Sequence, residues 1–133
     1  MRYLGIDFGL KRVGVAVSDE SGSFAFPLSV LANSEDLLDE IALICKENKI
    51  SQIVVGESMN FSFKENDIMK EILPFVESLK KRLGLPVNMH PEFLTSQEAE
   101  RLQGKNEMND ASAAALILKS YLDTNNDKKY DHN

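Results

Sequence analysis

From Val13 to Ser18 the chain alternates, with Val13, Val15 and Val17 on one side of an extended backbone and Gly14, Ala16 and Ser18 on the other. A two-residue period of this kind predicts a β-strand with one bulky face and one small face. The small face suits close approach by a helix or a ligand. Arg2 to Asp7 predicts a strand before it and Phe24 to Val30 a strand after it, with Asp19-Glu20-Ser21-Gly22-Ser23 as the second turn. Pro27 has no amide proton to give a ladder, so the third strand belongs at a sheet edge or carries a bulge. Three strands joined by short turns make an antiparallel meander.

The period then changes. Leu37, Ile41, Ile44 and Cys45 recur at helical spacing, after Asn33 or Ser34 as cap and Glu35 and Asp36 in a first turn where the helix dipole favours acids. Ile50 to Val55 is a short apolar run that fits a buried parallel strand, and it stops at Gly56-Glu57-Ser58-Met59-Asn60. A second helical stripe runs through Ile68, Ile72, Phe75, Val76, Leu79 and Leu83, with Pro74 inside it to kink or break the helix. Gly84 and Pro86 end that helix, and Val87 to His90 predicts a fifth strand. Thr95 with Glu98 forms a capping box for a short helix to Leu102, and Gln103 to Met108 is a polar link. A last helix is expected from Asn109 to Leu122, with Ala113, Leu116, Ile117, Ser120 and Tyr121 inward. The order β-β-β-α-β-α-β-α-α predicts an α/β fold with one mixed five-stranded sheet, three strands antiparallel and then two parallel, and helices on both faces. A single domain over residues 1–124 and a polar, disordered tail over 125–133 are expected.

Composition narrows the class. Hydrophobic residues make up 43% and charged residues 27% of 133, as in a globular chain. No apolar run approaches the roughly 20 residues that span a bilayer, so no membrane association is expected. Met1-Arg2-Tyr3-Leu4 shows no signal-peptide pattern. The single cysteine, Cys45, excludes an internal disulfide and a multi-cysteine zinc site, and its place in an apolar stripe reads as core rather than nucleophile. A cytoplasmic location fits. The net charge of −6 argues against broad non-specific nucleic-acid affinity, which needs a positive field. It leaves room for an enzyme that engages nucleic acid locally and through metal.

Ligand sites in mixed sheets lie at the carboxyl ends of strands. Asp7, Glu57 and Glu92 all follow predicted strands, and Asp110 opens the last helix. Asp7 stands before a turn carrying Lys11 and Arg12, cations suited to phosphate. Glycines at 5, 9 and 14 remove side chains that would keep a large substrate away. Carboxylates gathered at one edge repel unless cations compensate. Two Mg²⁺ ions between them are one solution, and such a pair activates water and stabilises the leaving oxygen in phosphodiester cleavage. Each residue also has a plain alternative. Asp7 caps a hairpin turn, Glu57 and Glu92 are solvated acids, Asp110 complements a helix dipole, and Lys11 and Arg12 are solvated. His90 is a metal ligand or, more commonly for a strand end, structural.

The stretch Gly5-Ile6-Asp7-Phe8-Gly9-x-Lys11-Arg12-Val13-Gly14-Val15-Ala16-Val17-Ser18-Asp19 resembles the YqgF family of the ribonuclease H-like superfamily. Supporting matches are Val54-Val55-Gly56, Gly84-Leu85-Pro86-Val87, Glu92-x-Leu94-Thr95-Ser96-x-Glu98-Ala99-Glu100 and Asp110-Ala111-x-Ala113-Ala114, so the likeness spans about Leu4 to Leu122. The family is described as a Holliday junction resolvase and as a nuclease that matures the 5′ end of pre-16S ribosomal RNA. The resemblance implies a ribonuclease H-like sheet, a Mg²⁺- or Mn²⁺-dependent hydrolase, and Asp7, Glu92 and Asp110 as catalytic metal ligands. It places Lys11 and Arg12 on phosphate. The partners implied are structured RNA or branched DNA, with the chain a monomer or a weak homodimer.

Three departures from the family pattern matter. Gly56-Glu57-Ser58 stands where the family has Gly-Leu-Pro, which makes Glu57 a possible additional ligand, because resolvases of the RuvC type carry a catalytic glutamate there. Pro91-Glu92-Phe93 replaces Asp-Glu-Arg and loses an acid and a basic contact. The link before Asp110 has only Lys105 as a cation. These losses and the negative charge also suit a catalytically weak binding or ribosome-assembly factor. The Asp-x-Gly turn further resembles the phosphate loop of actin-like and sugar-kinase ATPases, but those clamp nucleotide between two such domains.

Overall fold

The computed structural model describes residues 1–58, 69–92 and 109–130. Its elements are β1 (Arg2–Phe8), β2 (Arg12–Ser18), β3 (Ala25–Ala32), α1 (Leu37–Glu47), β4 (Ile50–Ser58), α2 (Met69–Leu83), β5 (Val87–Glu92) and α3 (Asn109–Tyr130). They form one five-stranded sheet in the order β3-β2-β1-β4-β5. The β1–β2 and β2–β3 pairs are antiparallel, and the β1–β4 and β4–β5 pairs are parallel. The mixed sheet expected from the sequence is therefore the observed one. The change from antiparallel to parallel pairing falls on β1, the strand that carries Asp7.

Alternation along the strands sorts residues to two faces. Leu4 and Ile6 of β1, Val13 and Val15 of β2, and Ile53 and Val55 of β4 pack against Leu37, Ile41 and Cys45 of α1 and Ile72, Phe75, Val76 and Leu79 of α2. On the opposite face Ala16 and Val54 pack against Ala114, Ile117, Leu118 and Leu122 of α3. The edge strand β3 is also bulged, as Pro27 implied. Val15 pairs with Ser29 and Ala16 with Pro27, which leaves Leu28 as the extra residue. Cys45 is buried, and desolvation pushes its thiol up to about 11, so it serves as core.

Several local expectations are corrected. Neither Asn33 nor Ser34 caps α1; its N-cap is Asp36, which makes no side-chain cap bond, and the first-turn acids are Asp39 and Glu40. β4 does not stop at Val55 but runs on through Ser58, because β5 pairs with it to that point. Helix α2 passes through Pro74 unbroken. Pro74 is exposed and one turn from the start of α2, where it costs only the bond to the Lys70 carbonyl. Gly84 ends α2 with φ +65°, and its backbone N–H donates a hydrogen bond to the Lys80 carbonyl at 3.0 Å, as expected. Helix α3 continues to Tyr130, its Leu116 is exposed rather than inward, and Ser120 meets β5 at an exposed edge of the helix. Ile68, the Thr95–Glu98 capping box and the link with Lys105 lie outside the described residues.

The reason for the α3 register is backbone contact. A Cβ on Gly5 would stand 2.8 Å from Leu118 Cβ, and one on Gly14 would stand 1.8 Å from the Asp110 carbonyl oxygen. Gly5 and Gly14 thus let α3 lie directly on β1 and β2, and they serve the helix rather than a substrate. Ala111, Ala114 and Leu118 lie at these contacts, and all three are buried.

Candidate active site

Asp7 stands one residue before the end of β1 and pairs across the ladder with Gly14. Directly opposed residues of a sheet share a face, about 5 Å apart. The start of α3 rests on Gly14, so the Asp110 backbone sits beside Asp7 on the α3 face. Two acids 103 positions apart (110 minus 7) are brought together by one missing side chain.

The Asp110 carboxylate has a counter-charge. Arg12 Nε donates to Asp110 Oδ2 at 2.9 Å, with the arginine side chain 69% and the aspartate side chain 33% exposed. The pair ties the first residue of β2 to the first turn of α3. Arg12 is therefore engaged with one of the expected metal acids in this structure.

The turn between β1 and β2 is three residues long, Gly9-Leu10-Lys11. It is tight enough that a Cβ on Gly9 would lie 2.5 Å from the Arg12 carbonyl oxygen. Asn33, just past β3, grips it twice. Its Nδ2 donates to the Gly9 carbonyl at 2.8 Å and its backbone amide to the Lys11 carbonyl at 3.0 Å. Sequence reasoning missed this role because an asparagine before a helix carries the same signal as a cap. Nothing in the local pattern separates the two.

Extending the ladder rows places the remaining candidates. Ile6 pairs with Val55 and Val55 with Met89, so the next row runs Gly14, Asp7, Gly56, His90. Position 92 lies one alternation further, at the end of β5, opposite Ser58 and in the same alternating set as Asn88 and His90. Two strand spacings and two residue rises put its Cα roughly 12 Å from that of Asp7. Glu57 alternates with Ile53 and Val55 and pairs with Pro91, so it falls on the α1/α2 face, across the sheet from Asp7. Among the described residues no three His, Cys, Asp or Glu side chains form a metal-sized group.

His90 is bound elsewhere. Its Nε2 is 2.9 Å from Ser120 Oγ, and its ring meets Tyr121 edge-on at 5.9 Å, with burial lowering its pKa. These contacts fasten the middle of α3 to β5, which fits a structural histidine.

A mixed sheet in the order β3-β2-β1-β4-β5, with helices on both faces, is a ribonuclease H-like fold. The chain aligns with Thermus thermophilus RuvC in complex with a Holliday junction substrate at a TM-score of 0.59 and 19% identity, covering 94% of this chain and 96% of that one. It aligns with the fowlpox virus resolvase bound to Holliday junction DNA at a TM-score of 0.58 and 10% identity, covering 93% and 98%. At those identities the likeness is one of fold. Residues 1–124 match the family RuvX, described as "Holliday junction resolvase", and the chain belongs to that RuvX (YqgF) family. A Nitratidesulfovibrio vulgaris protein is 38% identical over 132 residues, covering 92% of this chain and 93% of its own. A Bacteroides fragilis protein is 40% identical over 136 residues, covering 92% and 96%. Both carry the name "Putative pre-16S rRNA nuclease".

Proposed function

We propose that this chain is a metal-dependent phosphodiester hydrolase that processes the 5′ end of pre-16S ribosomal RNA. The observation that carries the reading is the meeting of Asp7 and Asp110 across Gly14, with Arg12 on the second acid. The names of the full-length relatives supply the substrate.

The donor chemistry fits a hard divalent cation. Asp7 and Asp110 offer carboxylate oxygens at one edge, and Arg12 already holds a positive charge against Asp110. Mg²⁺ or Mn²⁺ would be held by Asp7, Glu92 and Asp110, and it would supply water activation and charge stabilisation at phosphorus. Glu57 is left out of that set because it belongs to the other alternating face. The chain's own residues orient the substrate. Lys11 meets backbone phosphate, and Arg12 balances the charge of Asp110 until metal takes its place.

The family's description favours branched DNA as the second candidate substrate. Cleavage of a 5′-extended pre-16S RNA fragment and of a four-way DNA junction, each with Mg²⁺, with Mn²⁺ and with EDTA, tests both. The expected outcome is metal-dependent cutting of the RNA in preference to the junction. Retained binding of either substrate without cutting in any metal would instead support a ribosome-assembly factor.

A further inference from the structure

We propose that Asn33 is a positioning residue for nucleic-acid binding, holding the β1–β2 turn in the shape that presents Lys11 to phosphate. The inference rests on the nuclease reading above. Two of the three carbonyls in the turn, those of Gly9 and Lys11, accept hydrogen bonds from this one residue, at 2.8 and 3.0 Å. The two bonds use different parts of Asn33, its side-chain amide and its main-chain amide, so they fix an orientation as well as a distance. The residue lies 24 positions from Gly9 and follows Ala32, the ladder partner of Arg12. The sheet therefore carries the clamp to the turn.

The two cations of the turn are separated by this geometry. Arg12 is drawn to Asp110. Lys11 is exposed and, among the described residues, makes no ion pair. Lys11 is thus the turn's cation for phosphate, and the Asn33 bond to its own carbonyl sets where its side chain departs. Asn33 is half-buried beneath the turn, so it acts through Lys11 rather than by touching substrate. An aspartate of the same size would present an acceptor to the Gly9 carbonyl and repel it.

The test is a double-mutant cycle in RNA binding. Fluorescence anisotropy of the 5′-extended pre-16S fragment, over a range of NaCl concentrations, is read for wild type, Lys11→Ala, Asn33→Ala and the double variant. Lys11→Ala should weaken binding and reduce the salt slope by about 1. Asn33→Ala should weaken binding about five-fold, the worth of one hydrogen bond. On the Lys11→Ala background it should add nothing. Asn33→Asp, with circular dichroism confirming a folded chain, should reproduce the loss and be equally silent once Lys11 is gone. Additive losses, or an Asn33→Asp variant that binds like wild type, would overturn the role while leaving the nuclease reading intact. A wild-type chain that binds no RNA would overturn both.

Discussion

Toward α1 and α2, the strands β1, β2 and β4 present Leu4, Ile6, Val13, Val15, Ile53 and Val55. Toward α3 the same strands present Gly5, Asp7, Gly14, Ala16, Val54 and Gly56. The first face is filled by large apolar side chains that share contacts, so a lost methylene weakens it without redirecting it. On the second face Ala16 and Val54 pack with Ile117, Leu118 and Leu122, but at Gly5 and Gly14 helix backbone lies on strand backbone. There the helix is placed by what the strands lack, and the first turn it delivers carries an acid.

The largest effect should come from the acid on the α3 face. Asp7→Asn should lower cleavage by roughly 10³-fold or more in a chain that circular dichroism shows to be folded, whereas Glu57→Gln, across the sheet, should leave the rate nearly unchanged. Next, Leu79→Ala and Gly14→Ala should each cost about 3 kcal/mol in urea unfolding, the first by leaving a cavity and the second by overpacking. Their activities should diverge. Folded Leu79→Ala cleaves at the wild-type rate, while Gly14→Ala displaces Asp110 and loses cleavage.

A smaller effect is expected at Arg12. The Arg12–Asp110 pair is exposed, and such pairs are weak. Arg12→Gln removes a competing cation and should tighten Mn²⁺ binding by at most about five-fold in a calorimetric titration. The smallest effect concerns Asp19, in the β2–β3 turn at the opposite end of the sheet. The Ser21 hydroxyl and the Phe24 and Ser23 amides bond its carboxylate and hold its pKa at about 2, against an ordinary value of 3.8. The folded pKa is depressed, so its contribution is full above about pH 4 and is lost as pH falls through about 2. Asp19→Asn should flatten the loss of thermal stability over that window and leave cleavage unchanged.

Much of the fold was legible because the alternation at Val13–Ser18 and the apolar run at Ile50–Val55 report burial directly. The α3 register was not. Leu116 looked inward by hydropathy, but the contacts at Gly5 and Gly14 turn Ala111, Ala114 and Leu118 onto the sheet, and that rotation leaves Leu116 exposed. That fact lives in Gly5 and Gly14, more than 90 positions away. The acid set was read from a family resemblance and from strand ends, while the side of the sheet was lost where β4 was ended too early. Once β4 reaches Ser58, parity assigns Glu57 to the α1/α2 face. Asn33 was illegible because an amide satisfies a helix cap and a turn carbonyl equally well, and only the tertiary fold chooses.

The central claim is that the α3 face, and not its opposite, holds the metal. Calorimetric titration of Mn²⁺ into wild type, Asp7→Asn and Glu57→Gln tests it directly, independently of any substrate. The account predicts that Asp7→Asn loses binding and that Glu57→Gln binds as wild type does. Loss of binding in Glu57→Gln with binding kept in Asp7→Asn would contradict it.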